Sequence, residues 1–210
     1  SSNAPEPPKD SRIRIWQSTG NDWQTLQGWP EEGYILPISA TFSVPAIADL
    51  DHSGKQNLII TARTLGLYSF QPSDSAEAVW IKTPAELAEG SASGHLNSSI
   101  ALADLDEDGN QDIIFATSQN DRLYAVDHTG SVLAGWNGGV FVQATDNWGY
   151  SGPPVVGNLD DDPQFEIVYI GRDSLYCYEN DGAIKEGWPL LIEGGNSTYS
   201  HNYGYLSPFN

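Results

Sequence analysis

The chain has one cysteine, no methionine, only 9 Lys plus Arg among 210 residues, and no apolar run near the roughly 20 residues that cross a bilayer as a helix. Cys177 on its own forms no internal disulfide, so the fold is not a disulfide framework, and the redox compartment stays open. The few cations stand against 28 Asp plus Glu, a formal net charge of −19. That balance repels phosphate backbones and anionic membranes, which excludes nucleic acid and membrane insertion from the expected partners. Long 3.6-residue amphipathic segments are also missing; Thr83 to Gly90 has room for one or two helical turns. Ser2-Asn3-Ala4 reads as an expression-vector scar, and the Pro-rich stretch after it as a linker, so residues 1–11 are set apart from the fold.

What the chain has instead is a repeat. Val44-Pro45-Ala46-Ile47-Ala48-Asp49-Leu50-Asp51, Ser99-Ile100-Ala101-Leu102-Ala103-Asp104-Leu105-Asp106 and Pro153-Pro154-Val155-Val156-Gly157-Asn158-Leu159-Asp160 align, their closing aspartates 55 and then 54 residues apart. A second apolar run follows each, at Leu58 to Thr61, Ile113 to Ala116 and Ile167 to Ile170, and both flanks have the composition of strands. A third strand is marked by Leu67-Tyr68, Leu123-Tyr124 and Leu175-Tyr176. Turns at Asp127 to Gly130 and Asn180 to Gly182 then lead to Gly135-Trp136 and Gly187-Trp188-Pro189, where a fourth strand is expected at or just before the tryptophan.

About 54 residues carrying four short antiparallel strands is the period of a β-propeller blade. The expected fold is therefore all-β, a propeller segment of four-stranded antiparallel blades. Residues 42–96, 97–150 and 151–189 form three blades. Residues 12–41, with Ile13 to Trp16 and Gly28-Trp29-Pro30, supply the outer strands of another, and residues 190–210 make a connection and the start of a further blade. Such a piece of a larger propeller would expose strand edges and self-associate edge to edge.

The loop between the first two strands of the middle repeat reads Asp104-Leu105-Asp106-Glu107-Asp108-Gly109-Asn110-Gln111-Asp112. Calcium takes six to eight hard oxygens at about 2.3–2.6 Å, and a chain that curls round the ion aims alternate side chains inward. Asp104, Asp106, Asp108, the Asn110 carbonyl and Asp112 are the candidate ligands, with Gly109 free to adopt the positive φ of the curl. An EF-hand opens with the same pattern but closes on Glu at position twelve, which here is Phe115 inside a strand. A solvated hairpin turn is the competing reading, against which stands the mutual repulsion of five acidic side chains in nine residues. The corresponding candidates are Asp49, Asp51, Ser53, Lys55 (by its carbonyl) and Asn57 in the first loop. In the third they are Asn158, Asp160, Asp162, Gln164 (by its carbonyl) and Glu166, with Pro163 in place of glycine.

An Asp-Leu-Asp-Glu-Asp-Gly loop between apolar strands, followed by Leu-Tyr and Gly-Trp-Pro, resembles the FG-GAP or VCBS repeat family of integrin-α-like propellers and their bacterial relatives. The resemblance spans about residues 12–210. It weakens in the first repeat, where Ser53 and Lys55 depart from the pattern and Trp80 replaces Gly-Trp. It implies calcium in the blade loops and an extracellular or cell-surface setting, with adhesion, sugar binding or an accessory role beside an enzyme.

Other chemistry is poorly supplied. His52, His95, His128 and His201 have no zinc or catalytic spacing. Cys177 alternates with Tyr176 and Tyr178 as a core strand residue does, and the paired carboxylates sit in repeated loops, whereas an active site is needed once. Trp148, Tyr150, Tyr199, Tyr203 and Tyr205 precede first strands and could stack on a ligand or pack blades; Trp29, Trp136 and Trp188 recur with the repeat and read as packing. The expected function is a calcium-binding module that meets a carbohydrate or protein and does no catalysis. The alternatives are the propeller part of a secreted polysaccharide lyase or hydrolase, and a purely structural spacer.

Overall fold

The computed structural model describes residues 11–36, 43–63, 66–72, 76–87, 95–96, 98–118, 121–142, 152–171 and 173–192. Three antiparallel meanders follow one another. The first has the order β5 (Ala46–Ala48), β6 (Asn57–Ala62), β7 (Gly66–Phe70), β8 (Ala78–Lys82). The second runs β10 (Ala101–Ala103), β11 (Asp112–Ser118), β12 (Arg122–Val126), β13 (Val140–Phe141). The third runs β14 (Val155–Gly157), β15 (Glu166–Ile170), β16 (Ser174–Tyr178), β17 (Leu190–Leu191). Ahead of them lie β1 (Ser11–Ile13) paired with β4 (Tyr34–Leu36), and the hairpin of β2 (Trp16–Ser18) with β3 (Trp23–Thr25).

Register repeats along with sequence. Ala46 faces Ile59, Ala101 faces Ile114 and Val155 faces Val168, while Tyr68, Tyr124 and Tyr176 face Ile60, Phe115 and Tyr169. Because a strand turns alternate residues to opposite sides, the second strands of the first two meanders each serve two cores. Ile113 and Phe115 join Leu50, Ile59 and Leu67 of the preceding sheet, whereas Ile114 and Ala116 join Ile167, Tyr169, Tyr176 and Tyr178 of the following one. Leu58, Ile60 and Phe70 face back onto Trp29, which lies between β3 and β4. The hydrophobic cores thus lie between sheets, and a sheet with both neighbours is covered on both faces.

Tryptophans tie the sheets together. The indole Nε1 of Trp136, a fully buried residue, donates to the Asn180 carbonyl at 2.9 Å, and that of Trp80 donates to the His128 carbonyl at 3.0 Å. His128 and Asn180 hold the same place in successive turns, two residues before Gly130 and Gly182. Trp80, which stands in β8 where the Gly-Trp signature is missing, therefore makes the same tie from a different point of its blade. In the middle and third blades the fourth strand begins after the tryptophan rather than at or before it. The bridges Val126–Val132 and Tyr178–Ile184 first extend the hairpin, and the chain then turns with Gly135 and Gly187 at positive φ.

Two local features were partly legible. Thr83 and Glu86 form a reciprocal cap: the Glu86 carboxylate accepts the Thr83 N–H at 2.8 Å, and the Thr83 hydroxyl oxygen accepts the Glu86 N–H at 3.3 Å. It opens the single turn α1 (Pro84–Leu87), whose Leu87 is buried between the first two sheets. A short strand β9 (His95–Leu96) pairs with the end of β11, so the middle sheet has a fifth strand and begins ahead of the boundary expected at residues 96/97. Between β9 and β10 the Ser98 hydroxyl accepts the Ala116 N–H at 2.7 Å, a side chain standing in for the missing ladder bond.

Candidate metal centres in the acidic loops

All three acidic loops join a first strand to a second and so lie at the same end of their sheets. They touch: the Gln111 N–H donates to the Leu50 carbonyl at 2.8 Å, and the Gln164 amide donates to the Glu107 carboxylate at 3.1 Å. Within each loop a ladder of side-chain acceptors bends the backbone. Asp51, Asp106 and Asp160 accept the N–H two residues on, from Ser53, Asp108 and Asp162, at 3.2, 3.2 and 3.0 Å. Ser53, Asp108 and Asp162 then accept from Lys55, Asn110 and Gln164 at 3.4, 2.7 and 3.0 Å. These bonds hold Asp51 below the usual carboxylate range, chiefly through the Ser53 hydroxyl, and Asp108 likewise through the Asn110 N–H.

The first and middle loops close alike. Asp49 accepts the Gly54 N–H at 2.8 Å and Asp104 the Gly109 N–H at 3.0 Å, with both glycines at positive φ, as are His52 and Glu107 two residues earlier. A hydrogen-bonded turn around an acidic side chain would be complete in itself, yet the Oδ1 atoms of Asp49, Asp104 and Asp112 are buried and have no hydrogen-bond partner. An orphaned buried carboxylate oxygen is costly unless a cation lies within reach. In the middle loop, carboxylate oxygens of Asp104, Asp106 and Asp108 all lie within 4.8 Å of one another. Asp112, the first residue of β11, stands outside this cluster of three but within range of its charge: its Oδ2 accepts the Leu105 N–H at 2.7 Å, and burial, with the charges of Asp106, Asp108 and Asp104 adding to it, pushes its carboxyl up to about 7. Among the described residues no Lys or Arg pairs with these four. This donor set suits a hard divalent cation. In the first loop Asn57 replaces the closing acid; its Nδ2 donates to Ser69 and its Oδ1 is buried and unpaired. The donors there are fewer, Asp49 and Asp51 being the only carboxylates.

The third loop departs from this scheme. Glu166, fully buried, accepts the Leu159 N–H at 2.5 Å in the manner of Asp112, but Pro163 has no N–H to give the first loop residue. Asn158 instead donates its amide to the Asp162 carbonyl. The acidic cluster of Asp160, Asp162 and Glu166 gains Glu179, from the hairpin beyond β16, and receives the ammonium of Lys185. Glu179 and Lys185 were not among the sequence candidates, because they lie outside the loop. The usable signal was the repeat itself, which sets them opposite Asp127 and Leu133.

Of the remaining candidates, His95 accepts from Arg63 at 3.2 Å and is held below the ordinary histidine range by burial and that cation. Burial pushes the Cys177 thiol up to about 11, far from a nucleophile's range. His201, Trp148, Tyr150, Tyr199, Tyr203 and Tyr205 lie outside the described residues. No helix among the described residues is long and apolar enough to cross a membrane.

No family model matches the chain, and no curated protein does. Among solved structures it is similar to BBS1N, crystallised in complex with ARL6DN and soaked with lead, at 14% identity and a TM-score of 0.55, covering 87% of this chain and 51% of that one. The fold is that of a β-propeller. The biofilm matrix protein Bap1 of V. cholerae also matches, at 21% identity and a TM-score of 0.43, over 87% of this chain and 33% of that one. The chain thus spans about half the length of the first of these and a third of the second.

Proposed function

We propose that this chain is a calcium-binding β-propeller module of FG-GAP or VCBS type, extracellular or on a cell surface, that binds or scaffolds and performs no catalysis. The observation that carries the reading is the set of inward carboxylate oxygens without partners, repeated at the same loop position in successive blades. Asp104, Asp106, Asp108, Asp112 and the Asn110 carbonyl would hold the ion in the middle loop, with Asp49, Asp51, Ser53, Asn57 and the Lys55 carbonyl as a weaker counterpart in the first. Bound calcium supplies positive charge that offsets the mutual repulsion of the carboxylates and fixes the loop; the chain's own residues do the rest. Asp112 links the loop to β11 through the Leu105 N–H, so ordering the loop also orders the strand entry and the neighbouring blade that touches it.

The blade faces and their connecting loops are left to meet a carbohydrate or protein ligand. BBS1N, the neighbour of like fold, is complexed with a protein, ARL6DN, which supports a protein as the first class to test. The test of the calcium reading is thermal unfolding of chelator-treated protein across a calcium titration, with magnesium as the control for charge screening. A saturable rise in midpoint specific to calcium is expected; equal shifts with both ions, or none, would reduce the loops to solvated turns.

A further inference from the structure

In the third loop Lys185 Nζ lies 2.6 Å from Asp160 Oδ2, 3.0 Å from Glu179 Oε1 and 3.8 Å from Glu166 Oε1, and its side chain is only 19% exposed. An ammonium has three donors and no acceptor, and this one reaches an oxygen from each of three carboxylates in a cluster of four. Glu166 Oε1 is buried without a hydrogen-bond partner, so Lys185 is the charge it faces. The corresponding residue of the middle blade is Leu133: the N–H of Leu133 donates to Ala125 and that of Lys185 to Cys177, eight residues back in both cases. Leu133 is buried in the core between the second and third sheets and brings no charge to its loop.

Two further changes in this loop agree with that one. Where Asp104 accepts the Gly109 N–H, Asn158 stands before a proline that has none, and its amide donates inward. Neither Asp161 nor Pro163 adopts the positive φ seen at Glu107 and Gly109. A neutral first residue and a backbone without the curl are what a loop with a resident cation of its own would tolerate.

We infer that Lys185 is a tethered cation that fills the third acidic loop in place of a metal, so that this blade is closed without calcium while the middle blade depends on it. The inference rests on the calcium reading of the middle loop for its contrast, but its test is separate. Calcium stoichiometry is measured by isothermal titration on the full chain, for the wild type and for Lys185→Met, which keeps the stem up to the ammonium, and Lys185→Gln, which is shorter and polar; both remove the charge. Lys185→Arg serves as the variant that keeps the charge.

The expected result is one additional calcium equivalent in the Met and Gln variants, no additional equivalent in the Arg variant, and a lower thermal midpoint in chelator for the Met and Gln variants that calcium restores. Variants that fold in calcium but not in chelator support the inference in the same way. A wild type that already takes up three equivalents overturns it, as do Met and Gln variants that gain none. A wild type that binds no calcium, beside variants that bind one equivalent, contradicts the calcium reading of the middle loop and leaves the role of Lys185 standing.

Discussion

The middle and third blades share a register, a Leu-Tyr strand and an acidic loop of one length, yet differ in what surrounds them. The middle sheet is covered on both faces, and Trp136 at its edge is fully buried against the next blade. In the third sheet Tyr169 and Tyr176 are buried on one face while Leu191 is 80% exposed, and Trp188, the counterpart of Trp136, is half-buried. The loops differ in the same pairwise way, with an orphaned Asp112 oxygen in one and a lysine-faced Glu166 oxygen in the other. Equal sequence signatures therefore sit in unequal surroundings, set by the neighbouring blade and by the Lys185 ammonium.

The largest effect should come from the tryptophans. Trp136→Ala removes a fully buried indole and its bond to Asn180 and is expected to cost about 3–5 kcal/mol in denaturant unfolding. Trp188→Ala should cost less than half as much; equal losses would break the comparison. Next is Asp112→Ala, which leaves the Leu105 N–H without its acceptor and should cost about 1–3 kcal/mol in chelator and abolish the calcium response. Asp112→Asn keeps an acceptor and loses the charge, so in chelator it should match or exceed the wild type while still failing to respond to calcium.

The pH dependence follows from the same carboxyl. Its folded value, about 7, lies above its unfolded one near 3.8, so the metal-free fold holds the proton more tightly. The stability this contributes is present below about pH 4 and is lost as pH rises towards 7. Thermal midpoints in chelator should show the wild type losing ground over that range relative to Asp112→Asn. The smallest effect should be Trp80→Phe, which keeps a smaller aromatic ring and removes the bond to His128, at about 1 kcal/mol.

Much of the fold was legible because the repeat is written in its strands: the closing aspartates at 51, 106 and 160 predict the period, and strand register follows it. The tie made by Trp80 was not legible, since a hydrogen bond between blades depends on where an indole points, and two different strand positions reach equivalent carbonyls. Ser98 was equally silent, because a serine filling a ladder gap looks like any loop serine. In the site, Asp104, Asp106 and Asp108 could be read from alternation alone, whereas Lys185 enters the third cluster from 19 residues beyond Glu166. Only the opposing Leu133 in the repeat marks it as a difference.

Calcium in the middle loop is tested most directly by following backbone amide resonances of the full chain through a calcium titration. Saturable shifts and slowed hydrogen exchange are expected at Asp106, Asp108, Gly109 and Asn110, with Asp162 and Gln164 unmoved in the wild type. Amides of the middle loop that stay unmoved, or that respond to calcium no differently from magnesium, would contradict it.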